Sequence, residues 1–133
     1  MSYSSYSSQA NAYREREINS ASPARLVVLV YDAALANMLR ARRSLQSGDI
    51  RERVSSVGKA RDAIMELVVT LDTDRGGEIA RNLKSLYAFI LSELSDVVPS
   101  PDAVRLERVI KIVTDLRSAF DTIANDAARV TAA

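Results

Sequence analysis

The chain has 133 residues, of which 47% are hydrophobic and only 5% are aromatic. Its 18 basic residues nearly balance its 17 acidic ones, so no field of one sign is available to gather nucleic acid or anionic lipid. The lack of both cysteine and histidine excludes disulfides, thiolate nucleophiles, Cys/His zinc sites and imidazole acid–base chemistry. We therefore expect one domain with no cofactor, no metal and no enzymatic activity.

The N-terminal segment, residues 1–20, has no helical or strand periodicity, and we predict that it is flexible on its own. It begins without the basic and apolar stretches of a secretory signal. The longest apolar run of the chain, residues 26–31, is too short to span a bilayer. These features predict a cytoplasmic protein that does not insert into a membrane.

Residues 21–133 are predicted to form the folded domain. The first predicted helix runs from Pro23 to Gln46, because Ser22 is a good N-cap and proline is favoured at the first helical position. Gly48 is free to adopt the left-handed conformation that ends a helix. The second helix is predicted over 50–71.

The third helix is predicted over 76–96, after a turn that contains Gly76 and Gly77. This turn lacks the ligand spacing of a calcium loop and the Lys-Ser/Thr of a nucleotide loop. Two prolines then break the chain, and the fourth helix is predicted to start with Ser100 as N-cap and Pro101 after it, fraying at 131–133. Short connections make successive helices antiparallel, so the fold class is all-α, an up-down-up-down four-helix bundle.

Each predicted helix carries an apolar stripe at the spacing of a buried face. The predicted inward positions are Val27, Tyr31, Ala34, Met38 and Leu45; Val54, Val57, Ile64, Leu67, Val68 and Leu71; Ile79, Leu83, Leu86, Tyr87, Ile90 and Leu94; and Leu106, Val109, Ile110, Val113, Leu116, Phe120, Ile123 and Ala127. Among the apolar residues outside these stripes, four are predicted at the surface: Met65, Val69, Phe89 and Ile112.

The first helix is apolar on both flanks of its inward stripe, which is more than the edge of a bundle can bury. A contiguous apolar surface of this kind normally marks a protein-binding site. Either the chain's own N-terminal segment covers it, anchored by Tyr13 and Ile18, or a partner's amphipathic helix does. Self-association into a homo-oligomer through the same surface is a further alternative. The predicted groove residues are Leu26, Val28, Leu29, Ala33 and Leu39.

An ordered series of motifs runs along most of the chain. It starts with Tyr13 and Ile18, continues through Ser20-Ala21-Ser22-Pro23 and Tyr31-Asp32-Ala33-Ala34-Leu35, and includes Gly76-Gly77-Glu78-Ile79-Ala80-Arg81-Asn82-Leu83, Leu86-Tyr87 and Leu116-Arg117-Ser118-Ala119-Phe120. This series resembles the FliS family of flagellar export chaperones. The family commonly has Gly at the position of Ala33 and Trp at that of Phe120, which affects packing and partner range.

The resemblance implies a cytoplasmic chaperone that binds the disordered C-terminal segment of flagellin in its helix grooves and prevents premature polymerisation. It also implies that the segment around Tyr13 and Ile18 is a cap that flagellin displaces. Contacts with the flagellar export machinery or other flagellar regulators are a related expectation. The alternative is a general regulatory or scaffold bundle that binds some other amphipathic helix.

Overall fold

The computed structural model describes residues 22–132 and contains four helices in that range. No strand occurs among these residues, which confirms the predicted all-α fold. The predicted tail over 1–20, its boundary with the bundle, and the anchors Tyr13 and Ile18 lie outside the described residues. The helices are α1 (Pro23–Ser47), α2 (Ile50–Thr70), α3 (Thr73–Val97) and α4 (Ala103–Ala132).

The ends of α1 are fixed as the sequence predicts. The Ser22 hydroxyl accepts a hydrogen bond from the Arg25 backbone N–H at 3.2 Å, and Pro23 is the first helical residue. Gly48 ends the helix with φ 72°, in the left-handed region, and its N–H donates to the Ser44 carbonyl. The chain then turns at once into α2, whose N-cap is Asp49.

The helix α3 begins at Thr73, three residues before the predicted Gly76, because the Asp72 carboxylate accepts a hydrogen bond from the Arg75 N–H at 3.1 Å. This first turn is separated from the rest of the helix by Gly77, which has φ 58° and ψ −133°. Only glycine adopts that backbone conformation readily, so the kink depends on this residue.

The predicted N-cap of α4, Ser100, is wrong by two residues. Asp102 is the cap, because its carboxylate accepts from the Arg105 N–H at 3.1 Å and its carbonyl accepts from the Leu106 N–H. The Ser100 N–H instead donates to the Asp96 carbonyl at 3.1 Å, which keeps Ser100 in the turn that follows α3.

Ion pairs between distant parts of the chain show how the helices run. Arg40 near the end of α1 lies 3.7 Å from Glu52 near the start of α2. Arg25 near the start of α1 lies 2.7 Å from Asp121 near the end of α4. Both neighbours of α1 are therefore antiparallel to it, and α3 closes the bundle by packing on α2 and α4. This confirms the up-down-up-down arrangement.

Most predicted inward residues are buried or pack against the core, but the stripes reach too far at their ends. Val54 is 52% exposed, Ile79 is 74% exposed, Ile123 is 53% exposed and Ala127 is also exposed, so these four predictions are wrong. The surface prediction for Ile112 is wrong too, because Ile112 packs against the core. Met65, Val69 and Phe89 are exposed as predicted. Packing loosens toward helix ends, where fewer neighbours cover an apolar position.

Candidate protein-binding groove

A groove of about 1200 Å³ runs between α1 and α2 on the outside of the bundle. Its α1 wall includes three of the residues predicted from the sequence, Leu26, Leu29 and Ala33. Leu26 is 37% exposed and Leu29 is half-buried, so both present apolar surface to whatever enters the groove. The remaining small or apolar lining residues are Pro23, Val27, Val30, Ala36, Ala63 and Leu67.

The other two predicted residues lie elsewhere. Val28 is only 1% exposed, so its side chain lies in the interior of the bundle. Its prediction as a groove residue is therefore corrected. Leu39 is half-buried and does not line the groove. Residues 28 and 39 share a helical face with Asp32 and Arg42, which pair with α4. This places Val28 and Leu39 on the flank of α1 that faces α4.

The flank of α1 toward α4 is closed by three ion pairs. The distances are 2.7 Å from Arg25 to Asp121, 2.5 Å from Arg117 to Asp32 and 3.1 Å from Arg42 to Glu107. The hydrogen bond with Asp32 is the main cause that raises the pKa of Arg117 above its ordinary value. These polar contacts hold α1 against α4 along its length, whereas the groove lies on the outer side of α1 that α2 borders.

The α2 wall of the groove was not predicted as part of a site. It consists of Ala63, Glu66, Leu67 and Thr70. The sequence does contain evidence for this wall, because the tight turn at 48–49 makes α1 and α2 antiparallel neighbours. The late turns of α2 then lie across from Leu26 at the start of α1.

A buried tyrosine pair lies in the core beneath α1. The hydroxyls of Tyr31 and Tyr87 are 2.5 Å apart, and both side chains are at most 1% exposed. Burial, with the hydrogen bond to Tyr87 second, raises the pKa of Tyr31 far above its ordinary value. Burial also raises the pKa of Tyr87. Both hydroxyls are therefore neutral at physiological pH, and the pair ties α1 to α3 across the bundle.

Residues 22–132 offer neither a metal-binding cluster nor a membrane-spanning helix. No group of three or more His, Cys, Asp or Glu residues that could hold a metal ion occurs in 22–132. No helix in that range is long and apolar enough to cross a bilayer. A second, smaller cavity of about 440 Å³ is lined by Thr73, Asp74, Arg81, Lys84 and Ser85.

Comparison with known proteins assigns the chain to a protein family. The sequence profile described as flagellar protein FliS matches residues 6–127. The chain belongs to the FliS family. The match spans every motif from Tyr13 to Phe120 on which the resemblance rested. Several relatives of the chain bear the name flagellar secretion chaperone.

Individual relatives agree with the family profile. The flagellar secretion chaperone FliS of Vibrio cholerae is 30% identical over 119 residues, which cover 90% of this chain and 88% of the relative. FliSB of Pseudomonas aeruginosa is 32% identical, with coverage of 84% and 88%. FliS of Salmonella typhimurium is 33% identical, with coverage of 82% of each chain. The FliS-family relationship therefore covers residues 22–127 of the described bundle.

Proposed function

We propose that this chain is a cytoplasmic export chaperone that binds the C-terminal segment of flagellin in the α1–α2 groove and keeps it from polymerising before secretion. The observation that carries the proposal is an apolar groove on the outer face of a bundle that belongs to the FliS family. An exposed apolar groove is the surface that an amphipathic helix requires.

The dimensions of the groove suit such a helix. From Leu26 to Arg40 the lining of α1 spans 14 residues, which is about 21 Å at 1.5 Å per residue. A guest helix of about four turns fits that length. A disordered segment loses conformational entropy when it folds on a surface, and burial of its apolar face offsets this loss. Helix formation and binding should therefore occur together.

The test is a titration of the protein with a peptide from the C-terminal region of the cognate flagellin, followed by circular dichroism and calorimetry. We expect saturable binding, a gain in helicity and a negative heat-capacity change. A scrambled peptide of the same composition is the control. No binding, or equal binding of the scrambled peptide, would contradict the proposal. Preferential binding of an unrelated amphipathic helix would favour the general scaffold function instead.

The position of the site is tested by Leu29→Asp. Loss of one buried leucine contact is worth about 1.5–3 kcal/mol, so we expect peptide affinity to fall about tenfold or more. Val104→Asp is the matched control, because Val104 is exposed in the first turn of α4, outside the groove, where a carboxylate is tolerated. If Leu29→Asp unfolds the bundle, Leu29 is a core residue; Ala33→Asp, at an exposed groove position, then decides.

We also propose that the N-terminal segment caps the groove in the free protein, with Tyr13 and Ile18 as anchors. Support comes from chain connectivity: Pro23 and Leu26 line the groove, so the preceding segment joins the bundle at the groove itself. A cap reduces the apparent affinity for flagellin by the fraction of open protein. Replacing Tyr13 and Ile18 with alanine should increase both dye binding and peptide affinity. Unchanged values of both would exclude a cap.

A further inference from the structure

The polar residues of the α1–α2 groove differ in whether they have a hydrogen-bond or ion-pair partner within the protein. Asp32 pairs with Arg117 at 2.5 Å, and Arg40 lies 3.7 Å from Glu52. The remaining charged lining residue is Glu66. Asn37 and Thr70, the polar neutral members, donate hydrogen bonds to carbonyls of their own helices.

The Glu66 carboxylate has no hydrogen-bond or ion-pair partner among residues 22–132. Its side chain is exposed at the edge of the groove. The short turn between Ser47 and Ile50 sets the register of the two helices. Because Glu66 lies 16 residues beyond Ile50, it lies across from about residue 31 of antiparallel α1, near the middle of the groove that runs from Leu26 to Arg40.

The groove therefore combines an apolar floor with one uncompensated negative charge near its middle. We propose that this charge selects the guest and fixes its register: the bound helix places a lysine or arginine opposite Glu66, so that Glu66 is a specificity-determining residue of the groove. The inference rests on the proposed function, because it names the chemistry of the helix that the groove takes.

Charge complementarity of this kind acts on register and specificity more than on raw affinity. An apolar helix can slide along a groove with little loss of buried area. A single cation held by Glu66 removes that freedom, because a helix shifted by one turn would leave the carboxylate without its partner.

The test compares Glu66→Lys with Glu78→Lys in the full-length protein, using the C-terminal flagellin peptide as the probe. Both glutamates are exposed, and both substitutions change the net charge by the same amount; Glu78 lies on α3, outside the groove. We expect Glu66→Lys to weaken binding about three- to tenfold at low salt, since exposed ion pairs are modest. The loss should shrink to about twofold or less in 1 M NaCl. Glu66→Gln should give a smaller loss, and Glu78→Lys none.

Peptides in which one lysine or arginine at a time is changed to glutamate complete the design. One of them should restore binding to Glu66→Lys while binding the unsubstituted protein more weakly, which identifies the cation. Equal effects of Glu66→Lys and Glu78→Lys, or no rescue by any reversed peptide, would overturn the inference and leave the proposed function intact. If the original peptide does not bind the unsubstituted protein, the proposed function fails and this inference fails with it.

Discussion

The hydroxyl pair of Tyr31 and Tyr87 gives a test of the core that supports the groove. The two oxygens are 2.5 Å apart in a site from which water is excluded. Tyr31→Phe removes one hydroxyl and leaves the other buried without a partner, which costs about 1–3 kcal/mol. Tyr87→Phe should cost a similar amount. The double substitution removes both polar atoms but keeps both rings, including the contact of Tyr31 with Phe120 at a centroid distance of 5.6 Å.

The expected result is strong non-additivity. The double variant should lose only the net value of one hydrogen bond, about 0.5–1.5 kcal/mol, rather than the sum of the two single losses. Urea unfolding followed by circular dichroism measures this: a loss of 2 kcal/mol lowers the midpoint by about 1 M when the denaturant slope is about 2 kcal/mol per M. If the double variant loses the sum of the single losses, the hydroxyls are not coupled and the reasoning is refuted.

The same pair predicts an alkaline limit to stability. Burial raises the pKa of both tyrosines in the folded state above the ordinary value of 10.0. A group whose folded pKa is raised gives its full contribution below the unfolded pKa and loses it as pH rises further. The unfolding midpoint of the unsubstituted protein should therefore fall faster above about pH 10 than that of the double phenylalanine variant. Parallel curves would show that the pair is not the cause.

Backbone geometry and capping give further predictions on unfolding free energy. Gly77→Ala should destabilise by about 1–3 kcal/mol, because alanine is strained at φ 58° and ψ −133°. Gly58→Ala is the matched control and should stabilise by about 0.5–1 kcal/mol, since Gly58 is inside α2 and no atom lies within 4 Å of an added Cβ. Asp102→Ala should cost about 1 kcal/mol through loss of the cap of α4, whereas Ser100→Ala should cost much less. Equal effects of Gly77→Ala and Gly58→Ala would contradict the backbone strain at Gly77. Equal effects of Asp102→Ala and Ser100→Ala would contradict the assignment of Asp102 as the N-cap.

The helix starts show how far local sequence determines the fold. Ser22-Pro23 and Ser100-Pro101 are the same dipeptide, yet only the first forms a cap at its serine. The difference is Asp102, which directly precedes the helical run and competes as an N-cap. The Ser100 N–H is also held by the turn after α3. Competition between adjacent capping residues is decided by such contacts, which no dipeptide reveals.

The candidate groove shows which part of the site the sequence alone cannot predict. Around α1 the two apolar flanks, one with Leu26 and Leu29 and the other with Val28 and Leu39, look equivalent on a helical wheel. The structure makes them different because Arg42 of α1 pairs with Glu107 of α4, 65 positions later in the chain, and Val28 and Leu39 lie on that side of the helix. A periodic pattern predicts how much of a helix must be covered, but only contacts between distant residues determine which flank is covered by the protein itself. The flank left open is the one that α2 borders, and this is why Glu66, a residue with no signal of its own in the sequence, becomes part of the candidate site.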